Sequence, residues 1–149
     1  MLSQSFPLST YLITGSNRGI GLELARQLYD RGDEVIATCR STSSELNEIG
    51  VRVESGVDIT SGESVLNLKK RLNNIHLDVI IQNAGISDFN SLSNLDPQSI
   101  VHQFEVNALS PLCFTKTMLS NLGKNSKIAF ITSRMGSIED NNSGGSYGY

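Results

Sequence analysis

Five short apolar runs alternate with helical stretches along this chain of 149 residues, and few folds accept that pattern. Residues 10–14 read Thr-Tyr-Leu-Ile-Thr, the length and composition of a strand buried on both faces. Ile20, Leu22, Leu24, Ala25 and Leu28 then give residues 20–30 a helical stripe, and Gly32 stands where a helix is capped. Residues 34–39 form a second strand and 43–49 a short helix. A weaker third strand covers 51–57, interrupted by Gly56. Residues 61–72 are helical, with Ser61 as the cap and Glu63 in the first turn. Residues 77–81 are the fourth strand. Asp96-Pro97 opens a long helix in which Pro111 predicts a kink and which Gly123 ends. Residues 127–132 are the fifth strand, and 136–149 read as loop. Strand–helix alternation of this kind implies right-handed crossovers and a parallel sheet covered on both faces.

Composition removes several function classes. Charged residues make up 18% and the net charge is −3, with no basic cluster suited to nucleic acid or a membrane surface. No apolar run is long enough to span a bilayer, and residues 1–9 have neither the charge nor the apolar stretch of a signal peptide. Cys39 and Cys113 lie far apart and form no C-x-x-C, which points to packing roles in a reducing, cytoplasmic setting. His76 and His102 have no Ser or Asp at a recognisable triad spacing and read as surface residues.

In open parallel sheets, ligands bind beyond the carboxyl ends of the strands, so the residues there matter most. The first strand runs into Thr14-Gly15-Ser16-Asn17-Arg18-Gly19-Ile20-Gly21. Glycines let backbone approach a ligand closely, and the helix that follows offers unpaired N–H groups and a positive dipole end to phosphate. A loop that merely turns the chain is the alternative. The spacing is G-x-x-x-G-x-G rather than the general dinucleotide fingerprint G-x-G-x-x-G.

That spacing resembles the coenzyme loop of the short-chain dehydrogenase/reductase family, and the resemblance continues to the last residues. Asp58 and Ile59, in Val57-Asp58-Ile59-Thr60, resemble the segment that meets adenine. Asn83-Ala84-Gly85 matches the family's N-A-G, with Gln82 in place of the commoner Asn. Asn107 stands where the family carries its active-site Asn, and Ser133, in Ile131-Thr132-Ser133, where it carries its catalytic Ser. The segments from Ser133 to Ser137 and from Gly144 to Tyr149 are similar to the branch of C-factor-like proteins and small carbonyl reductases. The implied fold is α/β, a doubly wound parallel (Rossmann) sheet of order 3-2-1-4-5. Residues 1–149 would form the N-terminal part of a single-domain protein, incomplete at its C-terminus.

The implied activity is hydride transfer between NADP(H) and a small carbonyl or alcohol substrate. An acid about twenty residues past the glycines would hold the ribose diol of NAD and repel a 2′-phosphate. Here the second strand ends Thr38-Cys39-Arg40-Ser41. Arg40 and Arg18 suit a 2′-phosphate, so NAD(H) is the second choice, unless both arginines are merely solvated. By resemblance, Tyr149 donates the proton, Ser133 orients the substrate oxygen and Asn107 supports a water-linked proton path, with Tyr147 the alternative tyrosine. The family's Y-x-x-x-K lysine, which lowers the tyrosine pKa, would fall beyond the last residue, so the 149-residue chain is expected to be inactive by itself. Arg134 and Met135 would flank the mouth of the site. No metal is implied, and a homo-oligomeric parent is expected by resemblance. The rival reading is a truncated, non-catalytic nucleotide-binding or signalling relative.

Overall fold

A computed structural model describes residues 8–140 and Tyr149. Its strands are β1 (Thr10–Thr14), β2 (Glu34–Thr38), β3 (Arg52–Glu54), β4 (Leu77–Gln82) and β5 (Leu122–Phe130). Its helices are α1 (Gly19–Arg31), α2 (Ser44–Ile49), α3 (Gly62–Arg71), α4 (Pro97–Phe104) and α5 (Ser110–Met118). The strands form one parallel sheet in the order β3-β2-β1-β4-β5, the expected doubly wound topology. Thr14 pairs with Thr38, and Ile13 with both Ala37 and Ile81, so the central strands end nearly level.

Alternate side chains point to opposite faces of a strand, and both faces here are apolar. Leu12, Ile36 and Ile80 enter a core with Leu68 of α3 and Phe114 and Met118 of α5. Ile13, Ala37 and Ile81 enter a second core with Ala25 of α1 and Leu46 of α2. Leu12, Leu68 and Phe114 are fully buried, and truncating any of them to Ala costs about 2–5 kcal/mol. Glu54 ties β3 to α3: its carboxylate accepts from Arg52 at 2.7 Å and Arg71 at 2.5 Å. Burial pushes that carboxyl's pKa up, but the two guanidinium hydrogen bonds outweigh it and leave the pKa below the usual value.

Three expected boundaries move. β3 is shorter than 51–57 because Gly56, at φ 73°, turns the chain; backbone bonds Cys39 N–Glu54 O and Val57 N–Cys39 O carry the pairing past it. β5 starts at Leu122 rather than residue 127. Leu122 faces Leu77 while Lys127 faces Val79, and the extra residues between them are gathered by Ser126. The Ser126 hydroxyl donates to Leu77 O at 2.7 Å and accepts from Gly123 N at 2.9 Å. Gly123 therefore lies within the strand and does not end the helix. The long helix divides at a π turn, Glu105–Leu109, upstream of Pro111, which occupies the first turn of α5. Pro111 has no N–H for the carbonyl four residues earlier, so a regular α-helix could not run through this point.

β5 is an edge of the described sheet, with Ile128 and Phe130 partly exposed. Among the described residues, no helix is long and apolar enough to cross a membrane.

Candidate functional site

The carboxyl ends of β1, β2 and β4 open onto a cleft of about 790 Å³, a size suited to a small-molecule ligand. Its floor is the turn after β1. Gly15 sits at φ 68°, and a Cβ on it would lie 2.9 Å from Ala84 Cα. Gly21 is packed as tightly, since a Cβ there would meet Asn83 Nδ2 and Gly15 O at 2.4 Å. Gly19 differs. At φ 56°, it has no atom within 4 Å of where a Cβ would stand, so its α-carbon faces open space in the cleft.

Helix α1 begins at this turn with its amides uncapped. Ser43, Ser61 and Asp96 cap α2, α3 and α4 by accepting from Leu46 N, Ser64 N and Gln98 N. Arg18, at the same position of α1, makes no side-chain cap, and the first turn holds no acid. A helix start left in this state presents N–H donors and a positive dipole end to whatever occupies the cleft. The Ser43 hydroxyl donates to Asn17 O at 2.8 Å and fixes the loop from the other side.

The end of β4 is locked to the end of β1. Thr14 Oγ1 accepts from Asn83 N and Ala84 N, both at 3.0 Å. Asn83 Nδ2 returns hydrogen bonds to Thr14 O and Gly15 O, at 3.0 and 3.1 Å. Asn83, Ala84, Gly85 and Ile86 thus form one wall. Across from it, Arg40 and Ser41 follow β2, while Asp58, Ile59 and Thr60 follow β3. Thr60 donates its backbone N–H and its hydroxyl to Asp58 Oδ1, at 2.9 and 2.8 Å. Those two bonds hold the Asp58 carboxyl below its ordinary pKa, with smaller help from the charges of Arg40 and His102. Among the described residues, Arg18 and Arg40 form no salt bridge, so both leave positive charge at the cleft.

Of the coenzyme residues expected from sequence, Gly15, Asn17, Arg18, Gly19, Ile20, Arg40, Asp58, Ile59, Asn83, Ala84 and Gly85 line this cleft. Ser16 and Gly21 lie behind it. Ser16 is fully buried, with its hydroxyl on Ile13 O at 2.9 Å and its amide on Thr38 O at 3.0 Å. His102 is exposed, as read from sequence, and it also lines the cleft together with Val106. The two are four apart and share a helix face, a signal that the long helix already carried. His76 stands before β4, at the opposite end of the sheet.

Among the described residues, no hydrogen bond joins the expected catalytic residues to one another. Asn107 lies in the π turn, where Oδ1 accepts from Ile86 N at 2.9 Å and Nδ2 donates to Ile86 O at 2.8 Å. Its amide thereby clamps the loop after β4. Ser133 follows β5 and accepts from Met135 N at 3.2 Å. Tyr149 is exposed, and no hydrogen bond among the described residues connects it with Ser133 or Asn107. Tyr147 lies outside the described residues. Among the described residues, no group of three His, Cys, Asp or Glu side chains could hold a metal ion.

Comparison with known proteins agrees with this geometry. A family model for short chain dehydrogenases matches residues 9–148. The chain is 40% identical over 144 residues to 1-hydroxy-2-glutathionyl-2-methyl-3-butene dehydrogenase of Rhodococcus sp. (strain AD45), covering 95% of this chain and 64% of that protein. It is 42% identical over 76 residues to C-signal of Myxococcus xanthus, covering 49% of this chain and 46% of that one. A carbonyl reductase from Pseudomonas aeruginosa PAO1 in complex with NADP superposes with a TM-score of 0.86 at 26% identity, over 95% of this chain and 69% of that one. The chain spans less than two thirds of the length of the Rhodococcus relative.

Proposed function

The chain belongs to the short-chain dehydrogenase family, and on that footing we propose that it is the coenzyme-binding part of an NADP-dependent oxidoreductase acting on a carbonyl or alcohol. One observation carries the reading. The uncapped start of α1 and the open space at Gly19 lie beside Arg18 and Arg40, with no acid in the first turn. Donors, dipole and two cations suit a ligand with a pyrophosphate and a further phosphate.

The residues that line the cleft suit such a coenzyme in kind. The amides of Gly19 and Ile20 would hold the pyrophosphate, with Gly21 packed behind them, and Arg18 and Arg40 would hold the 2′-phosphate. Asp58 and Ile59 would meet the adenine, and Asn83, Ala84 and Gly85 would support the coenzyme along the opposite wall. When bound, the coenzyme supplies the hydride. Ser133 would orient the substrate oxygen and Tyr149 would give or take its proton. Asn107 would serve by holding the loop at Ile86 through its side chain.

A second reading, a nucleotide-binding relative without catalysis, draws on the similarity to C-signal over half of the chain. Two measurements separate them. Titration of the chain with NADPH and NADH should show tighter NADPH binding, and NADH binding as tightly or tighter would overturn the coenzyme assignment. Oxidation of NADPH by a protein containing the chain, assayed against aldehydes and ketones, supports the oxidoreductase. Coenzyme binding without any turnover supports the second reading.

A further inference from the structure

We propose that His102 is a further coenzyme-recognition residue, whose protonation strengthens the hold on a coenzyme carrying a 2′-phosphate. The inference rests on reading the cleft as an NADP site. His102 stands in the last turn of α4 and lines the same cleft as Arg18, Arg40 and Asp58, although it belongs to none of the sequence motifs. It reaches the cleft from the helical side, whereas the arginines and Asp58 come from loops at the strand ends.

The charged groups at the cleft set what this imidazole can add. Glu105 on its own helix approaches it, with Oε2 3.6 Å from His102 Nδ1. Asp58 comes from the loop after β3, Arg40 from the loop after β2 and Arg18 from the turn after β1. Within the cleft lining, the two guanidiniums and the Asp58 carboxylate leave one net positive charge. A proton on His102 would add a second. Imidazole is the side chain whose charge ordinarily changes between about pH 5 and 8. His102 also acts on the same carboxylate as Arg40, since both charges help to keep Asp58 ionised.

One added charge near a phosphate dianion, screened by physiological salt, changes affinity by about two- to fourfold. The test is isothermal titration of the whole chain with NADPH and NADH at pH 6 and pH 8, for wild type, His102→Gln and His102→Lys. The wild-type preference for NADPH over NADH should fall about threefold more between pH 6 and pH 8 than that of His102→Gln. Taking that ratio cancels the ionisation of the 2′-phosphate itself, which titrates near pH 6. His102→Lys should keep the low-pH preference at pH 8, because its charge persists. Superimposable profiles for wild type and His102→Gln, with NADPH bound by both, would overturn the role of His102 and leave the coenzyme site standing. Failure of all three proteins to bind NADPH would overturn the coenzyme site and this role with it.

Discussion

Replacing Gly19 by Ala should separate coenzyme recognition from folding. Gly19 holds φ 56°, and a Cβ placed on it meets nothing within 4 Å. The folded state therefore suffers only the left-handed backbone penalty of an L residue, about 1 kcal/mol. For a chain of this size, that lowers Tm by about 4 °C. The new methyl occupies the space that a pyrophosphate needs in order to reach the first amides of α1. Loss of one charge-assisted hydrogen bond is worth about 2 kcal/mol, or about thirtyfold in Kd. Gly21→Ala is the contrast, because its Cβ would lie 2.4 Å from the backbone oxygen of Gly15. That clash should destabilise the fold by about 3 kcal/mol or more. Thermal unfolding and calorimetric titration with NADPH read both effects. An NADPH affinity of Gly19→Ala within twofold of wild type would refute the placement of the phosphate. An unchanged Tm for Gly21→Ala would refute the packing argument.

Arg40→Asp should weaken NADPH by about tenfold or more while sparing NADH, as competitive titration of the two coenzymes would show. Thr60→Val removes one of the two donors to Asp58 Oδ1 and should destabilise the protein by about 1 kcal/mol at pH 7. The folded Asp58 carboxyl is held below its ordinary pKa, so its contribution is present above about pH 4 and is lost as pH falls through the folded value. Urea unfolding of wild type and Thr60→Val should accordingly converge at low pH. Glu54→Gln should cost about 1–2 kcal/mol at pH 7, a modest figure because Arg52 and Arg71 are each nearly half exposed and screened by solvent. The same sign applies to its lowered pKa, so this loss too should shrink in acid.

The parts of the fold that rest on local chemistry were legible. Ser61 and Asp96 cap the helices expected of them, and Gly32 closes α1 at φ 99°. Leu12 and Ile13, with the matching pairs in β2 and β4, declare a sheet covered on both faces because adjacent residues are equally apolar. What escaped depends on distant partners. Residues 123–126 look like a turn, and only the hydroxyl of Ser126 reaching Leu77 draws them into β5. Ser16 looks like a ligand donor until its hydroxyl is seen on Ile13 O, beneath the loop. His102 carries no motif, and its place in the cleft follows from how the long helix crosses the strand ends. For Asn107, the resemblance gives a place in a proton path, and what the sequence does not declare is that its side chain holds both backbone groups of Ile86.

The hydrogen bonds around Thr14 explain why coenzyme binding and chemistry should be separable in this chain. Thr14 and Gly15 join the end of β1 to Asn83 and Ala84 after β4 through four bonds, and Ala84 rests against Gly15 where no side chain could fit. Two loops from different strands are thereby held together, and the uncapped start of α1 lies at the same cleft. A ligand seated there orders little that is not already ordered, which favours affinity. Among the described residues, Ser133 and Tyr149 belong to no comparable network, and the contact shown for the Ser133 hydroxyl is local to its own turn. Positioning a proton donor against a substrate requires tight mutual geometry, and a misplacement of about 1 Å can cost a hundredfold in rate. Residues that hold the strand ends together should therefore govern coenzyme affinity in this chain, while turnover should depend on whatever brings Tyr149 to Ser133.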